Sequence, residues 1–107
     1  MEAEILKEFH ERIVKNFMDT LILAELKKGT PMSGYDVIEF IYKKFGLLMS
    51  SGTIYNILYS LERNELIKGI RNRKKRVYKL TDKGEETINT ILNAYGKIEN
   101  FVATLCK

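Results

Sequence analysis

Seven glycines and one proline divide this chain of 107 residues at points where the spacing of its apolar residues changes. Within most of the segments between them, apolar residues recur every three to five positions, which is typical of an amphipathic helix. The pattern predicts helices over residues 4–28, 33–46, 51–64 and 81–105. One domain is expected, because domains of about this length are the commonest and nothing indicates a second core.

The ends of these segments carry helix start and stop signals. Lys27-Lys28-Gly29 ends the first helix, with cations in its last turn and a glycine beyond it. Ser33-Gly34-Tyr35-Asp36 has the S-x-x-D form of a capping box and opens the second helix, which Gly46 closes. Ser51-Gly52-Thr53 is predicted to cap the third helix, and Thr81 is predicted to cap the last.

Two short segments between the third and last helices have a different pattern. Residues 66–71 and 76–80 are predicted strands, joined by the polar turn 72–75. The order is therefore three helices, a hairpin and a helix, which is the order of a winged helix-turn-helix. The predicted fold class is mainly α with a small β-hairpin, with long N- and C-terminal helices forming a dimer interface.

Positive charge is concentrated on the predicted hairpin. The formal net charge is +4, but residues 68–83 hold eight basic residues and one acidic residue, a local charge of +7 that leaves −3 for the rest. Such a strip favours a bound polyanion. A solvated loop or an RNA-binding patch are the alternatives, whereas membrane docking would need apolar anchors that the hairpin lacks. The wing residues predicted to contact DNA are Arg71, Arg73, Lys74, Lys75 and Arg76.

The third predicted helix has one apolar face and one polar face. At 100° per residue, its apolar side chains share a side that should face the core: Ile54, Ile57, Leu58 and Leu61. The opposite side carries groups that bond to bases and phosphates. The residues predicted to contact DNA there are Ser51, Gly52, Thr53, Tyr55, Asn56, Tyr59 and Arg63. At the start of the second helix, Ser33 and Tyr35 are candidate phosphate contacts.

Three motifs follow one another along the chain. They are Gly29-Thr30-Pro31-Met32-Ser33-Gly34-Tyr35-Asp36, then Ser51-Gly52-Thr53-Ile54-Tyr55 followed by Leu58, Leu61-Glu62 and Leu66-Ile67, and finally Tyr78-Lys79-Leu80-Thr81-Asp82-Lys83-Gly84. Together they resemble the PadR family of bacterial and archaeal transcriptional regulators. The resemblance implies a homodimer with one winged helix-turn-helix per subunit, in which the terminal helices form the interface. Most members are repressors, and small phenolic or drug-like effectors release some of them.

Two features depart from the family pattern. Ser51 stands where the family usually has a proline before the glycine, and a hydroxyl cap can replace a proline at a helix start. Only 23 residues follow Gly84, which is similar to the branch of the family with a short C-terminal helix. The tryptophan that forms the stacking platform of a drug-binding relative is also absent, so the identity of any effector is left open.

Apolar residues in the last predicted helix alternate at spacings of three and four, which is a heptad pattern. A helix packed on its own domain would give the same pattern over so short a length. However, the first helix is apolar along its length as well, and a small core cannot cover both, so a twofold dimer is expected. The predicted interface residues are Ile88, Ile91, Leu92, Tyr95, Ile98, Val102 and Leu105.

Several classes of protein are excluded by what the sequence lacks. Its apolar runs are far shorter than the roughly 20 residues needed to cross a bilayer, and its first residues are acidic, so a cytoplasmic protein without membrane contact is expected. One cysteine and one histidine provide neither a disulfide nor a metal cluster. No catalytic residue, metal or cofactor is predicted, because neither His10 nor Cys106 has a suitable setting.

The leading functional prediction is a dimeric, sequence-specific DNA-binding regulator that acts as a repressor. Residues 29–80 would form the DNA-binding domain, 1–28 an N-terminal helix for core and dimer contacts, and 81–107 the dimerisation helix. One alternative is a sequence-tolerant, chromatin-like protein that coats DNA. The other is an interaction module whose winged helix contacts another protein.

Overall fold

The computed structural model describes all 107 residues, Met1–Lys107. Its helices and strands are α1 Glu2–Asn16, α2 Met18–Leu26, β1 Met32–Ser33, α3 Gly34–Phe45, α4 Ser51–Arg63, β2 Ile67–Asn72, β3 Lys75–Leu80, α5 Asp82–Asn93 and α6 Tyr95–Leu105. The predicted fold class, mainly α with a small β-hairpin, is confirmed, whereas the predicted dimer interface is not tested by a single chain. Helices account for most of the chain, and the strands form one small antiparallel sheet.

A single cluster of twelve buried side chains holds α2 to α5 and the hairpin together. Its members are Met18, Ile22, Leu23, Leu26, Val37, Ile41, Ile54, Leu58, Leu61, Ile67, Tyr78 and Ile88. All of them lie between the start of α2 and the middle of α5. Neither α1 nor α6 contributes a buried residue, so both ends of the chain project from the body that contains the core.

The sheet has three strands rather than the predicted two. Its order is β1-β3-β2, and all neighbours are antiparallel. The extra strand β1 pairs Met32 with Tyr78 and Ser33 with Val77. A two-residue strand has no alternation for a sequence pattern to reveal, so the sequence predicts only the two strands of the hairpin. The pairing fixes the start of α3 against the base of the wing.

Both long terminal helices are divided, which corrects the prediction of single helices over 4–28 and 81–105. The breaks are at Phe17, with φ −108° and ψ 23°, and at Ala94, with φ −100° and ψ 18°. Hydrogen bonds still cross the first break. The Phe17 amide donates to the Ile13 carbonyl, and the Phe17 carbonyl accepts from the Leu21 amide. Neither break has a glycine or proline to signal it. Each falls where the chain leaves the part held by the core.

The predicted capping box at α3 is confirmed. The Ser33 hydroxyl accepts from the Asp36 amide at 3.1 Å, and the Asp36 carboxylate accepts from the Ser33 amide at 2.9 Å. This backbone hydrogen bond lowers the pKa of Asp36, and the nearby Lys75 acts in the same direction. Gly46 ends the helix in the left-handed conformation, with φ 69°, as its position predicts.

The cap of α4 is Ser50 and not Ser51. The Ser50 side chain accepts from the Thr53 amide at 3.2 Å, so Ser51 becomes the first residue of the helix. That is the position where proline is favoured in helices. Ser51 thus stands at a proline position without acting as the cap, and the turn is kept by the residue before it.

α4 ends in a Schellman motif that uses a glutamate where glycine is usual. The Leu66 amide donates to the Leu61 carbonyl at 3.0 Å, and the Glu65 amide donates to the Glu62 carbonyl at 2.9 Å. Glu65 has a φ of 62°. The chain then turns directly into β2, and the Leu66 carbonyl accepts from the Thr81 amide at 3.1 Å, which places the start of α5 beside the end of α4.

Candidate nucleic-acid interface

The two faces of α4 are as the sequence predicts. Ile54, Leu58 and Leu61 are buried in the core, and Ile57 is half-buried beside them. The residues expected to contact DNA are all exposed: Ser51, Gly52, Thr53, Tyr55, Asn56, Tyr59 and Arg63. This surface, from here on the α4 face, combines an amide, a guanidinium, two phenols and two hydroxyls, all of which suit bases and phosphates.

Tyr55 is held in place at one edge of the α4 face by Gly34. A Cβ on Gly34 would lie only 2.6 Å from the Tyr55 ring, so the ring occupies the space of the missing side chain. The first motif therefore needs its glycine because α3 and the tyrosine of the second motif meet there. Tyr55 is still 42% exposed, which leaves its outer edge open to a ligand.

The tip of the hairpin is tighter than expected. Asn72 pairs with Lys75, so the loop contains only Arg73 and Lys74 instead of the four residues 72–75. Arg73 has a φ of 59°, which is unusual for a residue other than glycine. The longer strands carry the cations of the tip outward: Arg71, Arg73, Lys74 and Lys75 are exposed, and none forms a salt bridge.

Arg76 differs from these four cations because it is paired within the protein. Its guanidinium donates to the Glu62 carboxylate of α4 at 2.6 Å. The same Glu62 oxygen accepts from the Gly69 amide of β2 at 3.1 Å. A Cβ on Gly69 would lie 2.5 Å from the Arg76 side chain, so the glycine makes room for it. The prediction that Arg76 contacts DNA therefore has to account for a partner it already has.

Tyr78 lies under this ion pair. Its ring is buried in the core, with the Arg76 guanidinium 5.7 Å from the ring centroid, a distance suited to a cation–π contact. Burial raises the pKa of the Tyr78 phenol, and the hydrogen bond with Arg76 opposes this in part. Hydrogen bonding to Glu62 raises the pKa of the Arg76 guanidinium, which is therefore charged at any ordinary pH.

At the start of α3, the two candidate phosphate contacts have different roles. Ser33 is only 7% exposed, and both its amide and its hydroxyl are used in the capping box. Its assignment as a phosphate contact stays a prediction with little support, because only the hydroxyl hydrogen is left to donate and the side chain is buried. Tyr35 is 69% exposed and stays a candidate phosphate contact. Lys75 of β3 lies near the same end of α3.

The predicted dimer residues are divided by the break at Ala94. Ile88 is fully buried in the core of its own subunit, which corrects its place in the interface, and Ile91 is half-buried. The remaining five are exposed: Leu92, Tyr95, Ile98, Val102 and Leu105. Sequence analysis missed Phe101, which is 62% exposed beside them, although its spacing of three from Ile98 was a usable signal.

α1 shows a second exposed apolar stripe. Its members are Ile5, Leu6, Phe9 and Ile13, followed by Phe17 at the break. With the α6 residues they leave far more apolar surface exposed than isolated surface residues would. None of the helices combines the length and the apolar character that crossing a membrane requires.

α2 to α4, the wing β2-β3 and the closing helix α5 define a winged helix-turn-helix protein. A model of the transcriptional regulator PadR-like family matches residues 22–90, which is more than half of the chain. The chain therefore belongs to the PadR-like family of transcriptional regulators, and the resemblance seen in its three motifs is confirmed. Membership also confirms the prediction that it is not an enzyme, since the family consists of regulators.

Solved structures show the same fold. A PadR-like transcriptional regulator from Bacillus cereus strain ATCC 14579 is similar with a TM-score of 0.74 and 24% identity, covering 90% of this chain and 97% of that one. Bacillus subtilis PadR in complex with operator DNA is similar with a TM-score of 0.60 and 29% identity, covering 70% of this chain and 46% of that one. The same protein in complex with p-coumaric acid gives 0.59 and 30%, covering 73% and 42%. Comparison with curated protein sequences gives no match.

Proposed function

We propose that the chain is a dimeric transcriptional regulator that binds a specific double-stranded DNA sequence in the cytoplasm and represses transcription. The observation that carries the proposal is the exposed α4 face beside a wing tip with four cations that have no acidic partner. The operator complex of Bacillus subtilis PadR supports it, because the structural match to that protein covers 70% of this chain.

In this proposal, α4 reads bases in the major groove. Asn56 is placed to bond bidentately to adenine and Arg63 to guanine, while Tyr59 reaches a phosphate or a base edge. Tyr55 is constrained by Gly34, so its phenol is offered with little loss of side-chain freedom on binding. Arg63 is the only cation on this face, so the face adds little sequence-independent attraction to phosphates. Its main contribution is therefore specificity.

The wing provides affinity through phosphates. Arg71, Arg73, Lys74 and Lys75 would neutralise three or four phosphates per subunit, or about six to eight per dimer. The logarithm of the binding constant should then fall with the logarithm of salt concentration with a slope of roughly −5 to −7. Tyr35 would add an uncharged phosphate contact at the start of α3.

The second copy of the chain is proposed to cover the apolar stripes of α1 and α6. Both helices leave aromatic and aliphatic side chains in water in the single chain, including Phe9, Phe101 and Leu105. Pairing about a twofold axis would bury them and place two α4 helices in successive major grooves about 34 Å apart. The operator would then be a pseudo-palindrome.

The proposal includes a small-molecule effector, whose chemical class is to be tested. A groove of about 450 Å³ lies between α1 and the end of α3, with Leu6, Val14, Phe45 and Leu47 as its apolar wall and His10 and Lys44 beside them. Because the Bacillus subtilis relative binds p-coumaric acid, that compound is the first probe. Release of bound DNA by the acid would support an effector, and unchanged binding would exclude this one.

Selection from a random duplex library at two salt concentrations tests the function. A specific regulator should yield a pseudo-palindrome and a steep dependence on salt. A chromatin-like protein would show the salt dependence with specific-to-random affinity ratios near one. If no duplex binds at low salt, the protein-interaction alternative would be favoured. A reporter gene carrying the selected site then separates repression from activation.

A further inference from the structure

The Glu62–Arg76 pair joins the two surfaces that the proposed function keeps separate. Glu62 belongs to α4, and Arg76 belongs to β3 of the wing. The same carboxylate oxygen also holds the Gly69 amide of β2. One side chain of the recognition helix therefore contacts both strands of the wing, and it does so on the edge of the α4 face.

The pair changes how many wing cations are available to a polyanion. Arg76 is 55% exposed and Glu62 28% exposed, so the guanidinium is at the surface but already paired with a carboxylate at 2.6 Å. The four cations of the wing tip have no such partner. A bidentate-capable arginine next to the base-reading helix would otherwise bind any passing phosphate, whatever the sequence.

We propose that Glu62 withholds Arg76 from DNA phosphates and fixes the wing against α4, which keeps the sequence-independent part of the DNA affinity low. This inference rests on the proposed function. Phosphate contacts raise affinity for every sequence equally, whereas base contacts discriminate. Removing one phosphate contact per subunit lowers affinity for random DNA and leaves the discrimination by the α4 face intact.

The test uses Glu62→Gln, because glutamine can still accept from the Gly69 amide while it no longer cancels the charge of Arg76. The freed cation should steepen the salt slope for random duplex by about 0.9 per subunit. At 0.1 M salt this is an affinity for random duplex about eight times higher per subunit, or about sixty times higher for the dimer. Because phosphate contacts act on every sequence alike, affinity for the selected site should rise by the same factor, and the ratio of specific to random affinity should stay unchanged.

Two further variants make the result specific to Arg76. The double variant Glu62→Gln with Arg76→Gln removes both charges and should return the slope to that of the wild type. Glu86→Gln, on the exposed side of α5, adds the same unit of charge without freeing a wing cation and should leave the slope unchanged. A wild-type slope for Glu62→Gln would overturn the inference. So would a double variant with a slope shallower by about 0.9 per subunit, since Arg76 would then already contact phosphate.

Elution from immobilised heparin separates failure of this inference from failure of the proposed function. If the wild-type chain binds no duplex at low salt, the proposed function fails, but the heparin measurement still reports the availability of Arg76 to a polyanion. Later elution of Glu62→Gln than of both the wild type and Glu86→Gln supports withholding. Elution together with Glu86→Gln means that Arg76 was never withheld, and the inference is wrong.

Discussion

Gly84 has no room for a side chain because the Leu66 carbonyl fills the space in front of it. A Cβ built on Gly84 would lie 1.9 Å from the Leu66 oxygen and 2.9 Å from its carbon. The obstacle is backbone, so it cannot rotate away. This contact seats the start of α5 against the end of α4 and explains the glycine that ends the third motif.

Gly84→Ala should therefore destabilise the protein, by about 1–3 kcal/mol, because the backbone must move to relieve the overlap. Gly96→Ala is the matched control, since Gly96 is also helical and has nothing within 4 Å of its missing Cβ. There, alanine should stabilise α6 by about 1 kcal/mol. Urea unfolding of both variants at one protein concentration measures the difference, and equal effects of the two would contradict the contact.

Glu65→Gly should stabilise the protein. Glu65 holds the left-handed position of the Schellman motif at φ 62°, which costs a residue with a Cβ about 1–2 kcal/mol. Part of this gain is lost to the greater freedom of glycine in the unfolded chain, so about 0.5–1 kcal/mol should remain. Asn64→Gly is the control, because Asn64 has a φ of −84° and glycine should destabilise there. Thermal melting that ranks the two variants the other way would refute the assignment.

The stability contribution of Asp36 should depend on pH in the acid range. Its pKa is lowered in the folded state by the Ser33 amide, so the folded chain favours the ionised form. The resulting stability is complete above the unfolded pKa of about 3.9 and is lost as the pH falls through the lower folded value. Asp36→Asn should cost about 0.5–1 kcal/mol at pH 7 and converge on the wild type at low pH. A gap that stays constant between pH 7 and pH 2 in urea unfolding would rule this out.

Asn56→Ala and Lys74→Ala should affect DNA binding in different ways. Loss of Asn56 should lower affinity for the selected site by about 1–3 kcal/mol and leave random duplex nearly unaffected. Loss of Lys74 should weaken both about equally and make the salt slope shallower by about 0.9 per subunit, or about two for the dimer. Equal losses on both duplexes for Asn56→Ala would mean that this amide does not read a base.

Ile98→Asp should dissociate the proposed dimer, because it places a charge in the apolar stripe of α6. Asn100→Asp adds the same charge on a polar position of the same helix and should leave the dimer intact. Sedimentation equilibrium over a range of concentrations measures both. A monomeric wild-type chain, or equal behaviour of the two variants, would show that α6 is not the interface.

The sequence was informative wherever a pattern extends over several turns or a motif is local. The core face of α4, the capping box at Ser33 and the wing all follow from such signals. The breaks at Phe17 and Ala94 do not, since the apolar period continues through them and only the extent of the core decides where the helices divide. The ion pair of Glu62 with Arg76 joins residues fourteen positions apart. Two side chains at that separation meet only because the wing folds back on α4, which charge patterning along the chain cannot reveal.

The two helix breaks separate the helices proposed to form the dimer from the part of the chain proposed to bind DNA. Each apolar arm meets the body through one non-helical residue, Phe17 or Ala94, and neither residue belongs to the α4 face or to the wing. A substitution at Phe17 or Ala94 would change the direction of α1 or α6 without changing the residues proposed to contact DNA. In the proposed dimer, the distance between the two half-sites would therefore depend on residues outside the α4 face and the wing.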